Sequence, residues 1–287
     1  MSRFASILLP LDGSPEAARG VGCALWLAEA LGATLHVLHA TEQPLPAREA
    51  LERLRVPDPK RAHVVVHQLS GDAAIAVIDA ITAHAVDLVI LSARGETASA
   101  SLGGTAQAII ERSPVPVLLL PPRYRESHPW KSVLVAASGE AAADKALEAA
   151  AQLAAVLRLR VHVVHSDDGT GTVALGSYAD SPHHEIAGRL SGMVERGLAC
   201  CTPDEARCVD PVRLAEGEPA AVLLREVARN ESSVLALGWH GSLGAGRAPV
   251  FRKLVETAEC ALLLVRYAER ARALLNVGDE IAAPRPL

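Results

Sequence analysis

The sequence is poor in aromatic residues, which make up 3% of 287 positions as three Trp, three Tyr and two Phe. A basic groove interleaved with stacking rings, the usual cradle for single-stranded nucleic acid, has little material to be built from. No basic block compensates, since 28 Lys and Arg face 33 Asp and Glu for a formal charge of −5. Nucleic acid is therefore not expected as a partner, and a small molecule or a protein is. Long apolar runs are missing too: stretches such as Val115 to Leu120 are bracketed by Pro and fall short of the roughly 18 to 20 residues that a membrane span needs. Ile7 to Leu11 is too brief for the apolar core of a signal peptide and runs straight into Asp12, so a cytoplasmic location is expected. The five Cys, an odd count with Cys200 and Cys201 adjacent, fit reduced thiols rather than a disulfide framework.

Half of the residues are apolar, and these are chiefly Ala, Val and Leu, a composition suited to helices packed on buried parallel strands. The length admits two domains, each with its own core. Two copies of one pattern confirm that count. Ile7-Leu-Leu-Pro-Leu-Asp12-Gly13-Ser14 matches Val133-Leu-Val-Ala-Ala-Ser138-Gly139-Glu140 at a shift of 126, and the shift holds for Leu35 to His39 against Val161 to His165. From Gly71-Asp72 and Asp87 to Leu91 onward, matched by Gly217-Glu218 and Ser233 to Leu237, the shift is 146. The second copy thus carries 20 extra residues, around Asp167 to Ala199. Pro116 to Leu120 and Ala261 to Val265 close the copies as short, continuous apolar runs that predict buried strands.

Each copy reads as strand, long amphipathic helix, strand, variable helix, strand, helix, strand, Gly-containing loop, helix, strand. This alternation predicts an α/β fold: two tandem doubly wound domains, each a five-stranded, mainly parallel sheet with helices on both faces. The expected units are residues 1–122 and 130–268, joined by a stiff, polar, Pro-rich linker over 123–129 and followed by a charged, Pro-containing tail over 269–287.

Ligands of open parallel sheets settle beyond the carboxyl ends of the strands where strand order reverses, which singles out the loops after the first and fourth strands. In the first copy these are Pro10-Leu-Asp12-Gly13-Ser14 and the run from Ser92, Arg94 and Gly95 to Gly103, Gly104 and Thr105. The second loop opens a helix, whose N-terminal N–H groups and dipole attract an anion. Arg94 supplies a charge-assisted partner for a phosphate, and Asp12 an acceptor for a ribose hydroxyl.

Leu11-Asp12-Gly13-Ser14, Gly71-Asp72 and Pro116-Val-Leu-Leu-Leu120, in this order and spacing, resemble the universal stress protein family, whose members open on V-D-G-S, carry G-D before the third helix and end on P-V-L-V-V. The resemblance implies an adenine nucleotide α-hydrolase-like fold and a stress-response or regulatory protein. It further implies ATP or AMP in the first copy, with Mg²⁺ only as a companion of ATP. Pro10 and Asp12 would lie near base and ribose, Ser92, Arg94, Gly95, Gly103, Gly104 and Thr105 near the phosphates, and Gly13, Ser14 and Ala40 would complete the binding site. It also implies that the last strands of the two copies pair as subunits do in single-domain homodimers, with a homodimer of the tandem and an unidentified protein as further partners.

Nucleotide-binding members carry G-x2-G-x9-G-[ST], and neither copy satisfies it. The first has Ser92 for the opening Gly and seven residues, not nine, between Gly95 and Gly103. In the second, Ser138 replaces the carboxylate and Ala248-Pro249 the helix-opening pair, which removes a donor, so no nucleotide is expected there. The rival reading is a nucleotide-free interaction scaffold. No nucleophile elbow, Walker loop or carboxylate pair occurs where an active site would lie, so no catalysis beyond weak ATP hydrolysis is expected.

His36 with His39 recurs as His162 with His165. A separation of three on a strand puts the two rings on opposite faces, so neither pair chelates a metal by itself, and the expected role is packing at the strand end or pocket. His183-His184, Cys200, Cys201 and Cys208 lie in or beside the insertion but lack any C-x-x-C or H-E-x-x-H spacing. Zinc or copper held by ligands from different loops there is a further reading, and no metal site is assigned. Trp26, Trp130 and Trp239 are expected to pack rather than cage a ligand.

Overall fold

Residues 4–57, 63–95, 101–167, 183–244 and 248–267 are described by the computed structural model of the chain. The expected tail over 269–287 lies outside them. The first half runs β1 (Ser6–Pro10), α1 (Pro15–Ala18), α2 (Gly20–Leu31), β2 (Thr34–Ala40), α3 (Ala47–Arg53), β3 (His63–Leu69), α4 (Ala73–Ala83), β4 (Leu88–Ser92), α5 (Gly104–Arg112) and β5 (Val117–Leu120). The second runs β6 (Ser132–Ala136), α6 (Ala141–Leu157), β7 (Arg160–Asp167), α7 (His183–Gly197), α8 (Pro203–Arg207), β8 (Val209–Glu216), α9 (Pro219–Arg229), β9 (Val234–Trp239), α10 (Pro249–Thr257) and β10 (Ala261–Arg266). The long first helix expected in each copy is a single element only in the second; in the first it is divided at Arg19 into α1 and α2. The inserted residues supply α7, which packs on α6.

All the strands among the described residues lie in one sheet in the order β3-β2-β1-β4-β5-β10-β9-β6-β7-β8. Within each half every pairing is parallel, as buried Val- and Leu-rich strands joined by helical crossovers require. At the seam β5 and β10 run antiparallel, with Leu118 opposite Leu263. The two five-stranded sheets are therefore continuous.

The cores follow the faces of this sheet rather than the halves. Alternation along β1 sends Ile7 and Leu9 to one face and Leu8 to the other. The Ile7 face joins Leu27 and Leu118 to Val133, Leu153 and Leu263, and the Leu8 face joins Val77 and Leu119 to Leu134, Leu254 and Leu262. Each core thus contains residues of both halves, in place of the one core expected for each half.

The connection between the halves is also more embedded than a polar linker. Arg19 donates to the carbonyls of Pro122 (2.6 Å) and Tyr124 (2.8 Å), and the Arg125 N–H donates to Glu259 O (2.9 Å). Tyr124 and Trp130 are buried, and Trp26 packs on both His128 and Trp130. The segment that joins the halves is thereby anchored to α2 and to the residue two before β10.

Candidate functional site

The turn after β1 is built by three consecutive residues with separate tasks. Asp12 Oδ1 accepts from the Ser14 N–H at 2.9 Å, closing a tight side-chain-to-backbone turn. Gly13 sits between them at φ +85°, where a Cβ would be strained. Ser14 is buried, and its hydroxyl accepts from the Ala17 N–H at 3.1 Å as the N-cap of α1. The second half repeats the device with Ser138, whose hydroxyl accepts from the Glu140 N–H at 3.4 Å. His39 and His165 fasten the same turns, each with Nδ1 on a backbone carbonyl, Leu11 O at 2.9 Å and Ala137 O at 2.7 Å. These two recurrent histidines therefore serve the pocket rim. The Gly-Asp motif is likewise local architecture: Gly71 turns at φ +95° and the Asp72 carboxylate caps α4 by accepting from the Ile75 N–H at 2.9 Å.

A cleft of about 180 Å³ opens between these turns and the start of α5. Its lining includes Pro10, Asp12, Ala40, Ser92, Arg94, Gly95, Gly103, Gly104 and Thr105, over a floor of Leu38, Val77 and Leu91. Nine of the eleven residues singled out in the sequence thus meet at one place. Gly13 and Ser14 do not line it; they hold Asp12 at its edge. Glu96 to Ala100, in the middle of the Gly-containing loop, lie outside the described residues.

The loop is closed by the Gly103 N–H donating to Ala93 O at 2.8 Å, which brings its two ends together beside β4. Ser92, standing where the family pattern has Gly, donates its hydroxyl to Ala17 O at 3.2 Å and so ties β4 to α1. Its counterpart Gly238 has no such freedom, because a Cβ there would collide with the Ala142 carbonyl. A Cβ on Gly95 would strike the Asp12 carboxylate, so the glycine permits the two loops to touch. Gly103 is the N-cap of α5 and offers no side chain to its first N–H groups. Among the described residues, a Cβ on Gly104 would meet nothing within 4 Å beyond its chain neighbours and its own helix, so these residues leave the helix entrance open. A basic side chain, an uncapped helix start and an exposed carboxylate therefore rim an apolar floor, an arrangement suited to an anionic ligand with a flat apolar part.

The second half retains a cleft at the matching place, about 320 Å³ in volume and lined by Ser138, His165, Ser166, Gly238 and Val250 among others. Its chemistry is different. Ala248 precedes α10 in the left-handed region at φ 52°, and Pro249 takes the first helical position without an N–H to offer.

Beyond the expected residues, His36 lies with His67 and His84, one ring nitrogen of each falling within 4.8 Å of the others. Sequence spacing could not show this, because the three come from β2, β3 and the end of α4. His36 finds these neighbours on other elements, while His39 turns to Leu11 O. Trp26 and Trp130 are in contact, with ring centroids 4.9 Å apart, and Trp239 stacks on Phe251. No helix among the described residues is long and apolar enough to cross a membrane.

Comparison with known proteins agrees with this architecture. A Thermus aquaticus protein described as the universal stress protein in the QAH/OAS sulfhydrylase 3′ region is 35% identical over 136 residues, 41% of this chain and 98% of that one. In fold the chain is similar to a functionally unknown protein from Pseudomonas aeruginosa PAO1, with a TM-score of 0.63, 16% identity and 92% of both chains covered. A universal stress protein from Archaeoglobus fulgidus is similar at a TM-score of 0.61 and 18% identity, over 92% of this chain and 97% of that one. The family model described as the universal stress protein family matches residues 3–121 and again residues 129–266. With both halves matched in tandem, the chain belongs to the universal stress protein family.

Proposed function

We propose that the chain is a cytoplasmic stress-response regulator whose first half binds an adenine nucleotide, ATP or AMP, in the cleft between the Asp12 turn and α5, without a dedicated catalytic step. The carrying observation is that Asp12, Arg94, Gly95, Gly103 and Gly104, from two loops far apart in sequence, line one cleft at an uncapped helix entrance. Asp12 would accept from a ribose hydroxyl. Arg94 and the N–H groups of Gly104 and Thr105 would hold phosphates, and Mg²⁺ would accompany ATP alone. The residues present fit such a group despite the shortened loop, since among the described residues nothing fills the space beside Gly104 at the helix entrance. In this reading residues 1–122 and 130–268, joined by 123–129, take the places of two subunits, and β5 against β10 replaces a dimer interface.

Calorimetry of ATP and AMP with the full chain tests the proposal. Wild type is expected to bind, and Asp12→Ala to weaken binding roughly ten- to hundredfold through loss of one charged hydrogen-bond partner. Because Asp12 also supports the Ser14 turn, Gly104→Val provides a second variant: it places bulk in the cleft where the protein itself has room. Absence of binding by wild type, or undiminished binding by both variants, overturns the assignment in favour of a nucleotide-free interaction scaffold.

A further inference from the structure

The register of β2 and β3 pairs His36 with Val65 and Leu38 with His67, so His36 and His67 are diagonal neighbours on one face of the sheet. Their rings are in contact, His36 Nδ1 standing 2.9 Å from His67 Nε2. The third ring arrives from the end of α4: His84 is the residue that terminates the helix, and its centroid lies 4.1 Å from His67 and 5.1 Å from His36. That end of α4 is fixed rather than frayed. The His84 carbonyl accepts from Ser6 Oγ at 3.2 Å, and the Asp87 carboxylate accepts from the N–H groups of Ala5 (2.8 Å) and Ser6 (3.0 Å). All three rings are partly exposed, so an ion from solvent has access to them.

Three imidazoles in contact are an unfavourable way to fill a corner unless they stay neutral or share a cation. Burial, followed by the neighbouring His67, His84 and His63, holds His36 down to about 4, and burial followed by His84 lowers His67.

The second half provides an internal comparison. At shifts of 126 and 146 the corresponding residues are His162, Arg213 and Asn230. There the corner is filled by other partners: His162 Nδ1 lies 2.8 Å from Asp210 Oδ2, and the Arg213 guanidinium lies 3.5 Å from the Glu226 carboxylate, whose side chain is 2% exposed. Arg225 and Arg229 flank the same carboxylate. In the first half Ala80 occupies the position of Glu226, while Asp210 lies at a register irregularity of β8 that β3 lacks. The fold therefore does not itself require histidines here.

We propose that His36, His67 and His84 form a three-histidine site for a divalent transition-metal ion of the zinc class. Imidazole nitrogens suit Zn²⁺, Ni²⁺ and Cu²⁺, and three protein ligands leave a coordination position open to water or to an exogenous group. Metal–nitrogen bonds of about 2.0–2.1 Å put tetrahedral ligand atoms about 3.3 Å apart. His36 and His67 already stand near that separation, and His84 brings a third ring nitrogen within 4.8 Å of theirs. The proton now shared between His36 and His67 would move to an outward ring nitrogen. The site lies on the Leu8 face of the sheet, apart from the residues that line the nucleotide cleft.

The test is calorimetric titration of the metal-stripped, nucleotide-free full chain with Zn²⁺, accompanied by Co²⁺ absorption in the visible range. Wild type is expected to bind one equivalent, and Co²⁺ to give the intense bands of a low-coordinate site. His67→Gln, on the edge strand, and His84→Gln are each expected to weaken Zn²⁺ roughly a hundredfold. The combined Cys200→Ser, Cys201→Ser and Cys208→Ser variant should bind as wild type does, and circular dichroism should show all variants folded. Failure of wild type to bind one equivalent, unchanged affinity in both histidine variants, or loss of binding in the cysteine variant overturns the proposal. None of these readouts depends on nucleotide.

Discussion

At the scale of single residues, most of the family motifs are explained by backbone satisfaction rather than by ligand contact. Asp12, Gly13 and Ser14 make one turn and one cap, and Gly71 and Asp72 make another. Asp12 alone of these also reaches the cleft. The cysteines separate in the same physical manner. Burial pushes the thiols of Cys23 and Cys260 up to about 12, so neither presents a thiolate at neutral pH, whereas Cys200 is exposed. Mass-spectrometric mapping after brief iodoacetamide treatment of the native protein should find Cys200 modified and Cys23 and Cys260 untouched. Modification of the latter two before unfolding would contradict their place in the core.

At the scale of elements, the two halves use the same helices with different terminal chemistry. Glu218 caps α9 by accepting from the Ala220 and Ala221 N–H groups, and it also pairs with Lys253 on α10 at 2.9 Å. The Lys253 hydrogen bond, followed by the Ala221 N–H, holds this carboxyl below its ordinary value of 4.5. A depressed folded-state pKa means that the folded chain binds fewer protons than the unfolded one. The stabilisation is therefore present above 4.5 and lost as pH falls through the folded-state value. Glu218→Gln should melt at a lower temperature than wild type at pH 7, with the gap closing as the pH is lowered past this range. The group is exposed, so the gap should be small and should shrink further in salt. A gap independent of pH would assign the effect to the cap geometry alone.

The same scale shows why the candidate site was only partly legible in the sequence. Loops at the ends of β1 and β4 converge because a doubly wound sheet places them at the switch in strand order, and the repeat identifies those strands. Whether a shortened loop still closes depends on the Gly103 to Ala93 hydrogen bond, which no spacing rule encodes. The His36, His67 and His84 cluster was hidden for a related reason. Its members are 31 and 17 positions apart, and their meeting depends on strand register and on where α4 ends.

At the scale of the molecule, one ten-stranded sheet carries two cores that each cross the seam. Leu263, fully buried opposite Leu118, belongs to a core that also contains Leu27 and Leu153. Truncating it leaves a cavity that neither half can fill alone. Leu263→Ala is expected to cost about 2–5 kcal/mol in urea denaturation. Far-ultraviolet circular dichroism and Trp fluorescence should report one coincident transition, since Trp26, Trp130 and Trp239 sample both halves. Two separated transitions would show that the halves hold their cores independently.

The sequence by itself determined the repeat, the α/β alternation, the turn and cap chemistry and the loops that could hold a ligand, because all of these arise from periodicity and from contacts within a few residues. Only the tertiary structure decided that the halves share their cores, that Gly13 and Ser14 support the cleft without lining it, and that three histidines meet on one face. Those outcomes depend on register, on the antiparallel seam and on which side chains face each other across strands, and these are fixed only when the whole sheet is packed.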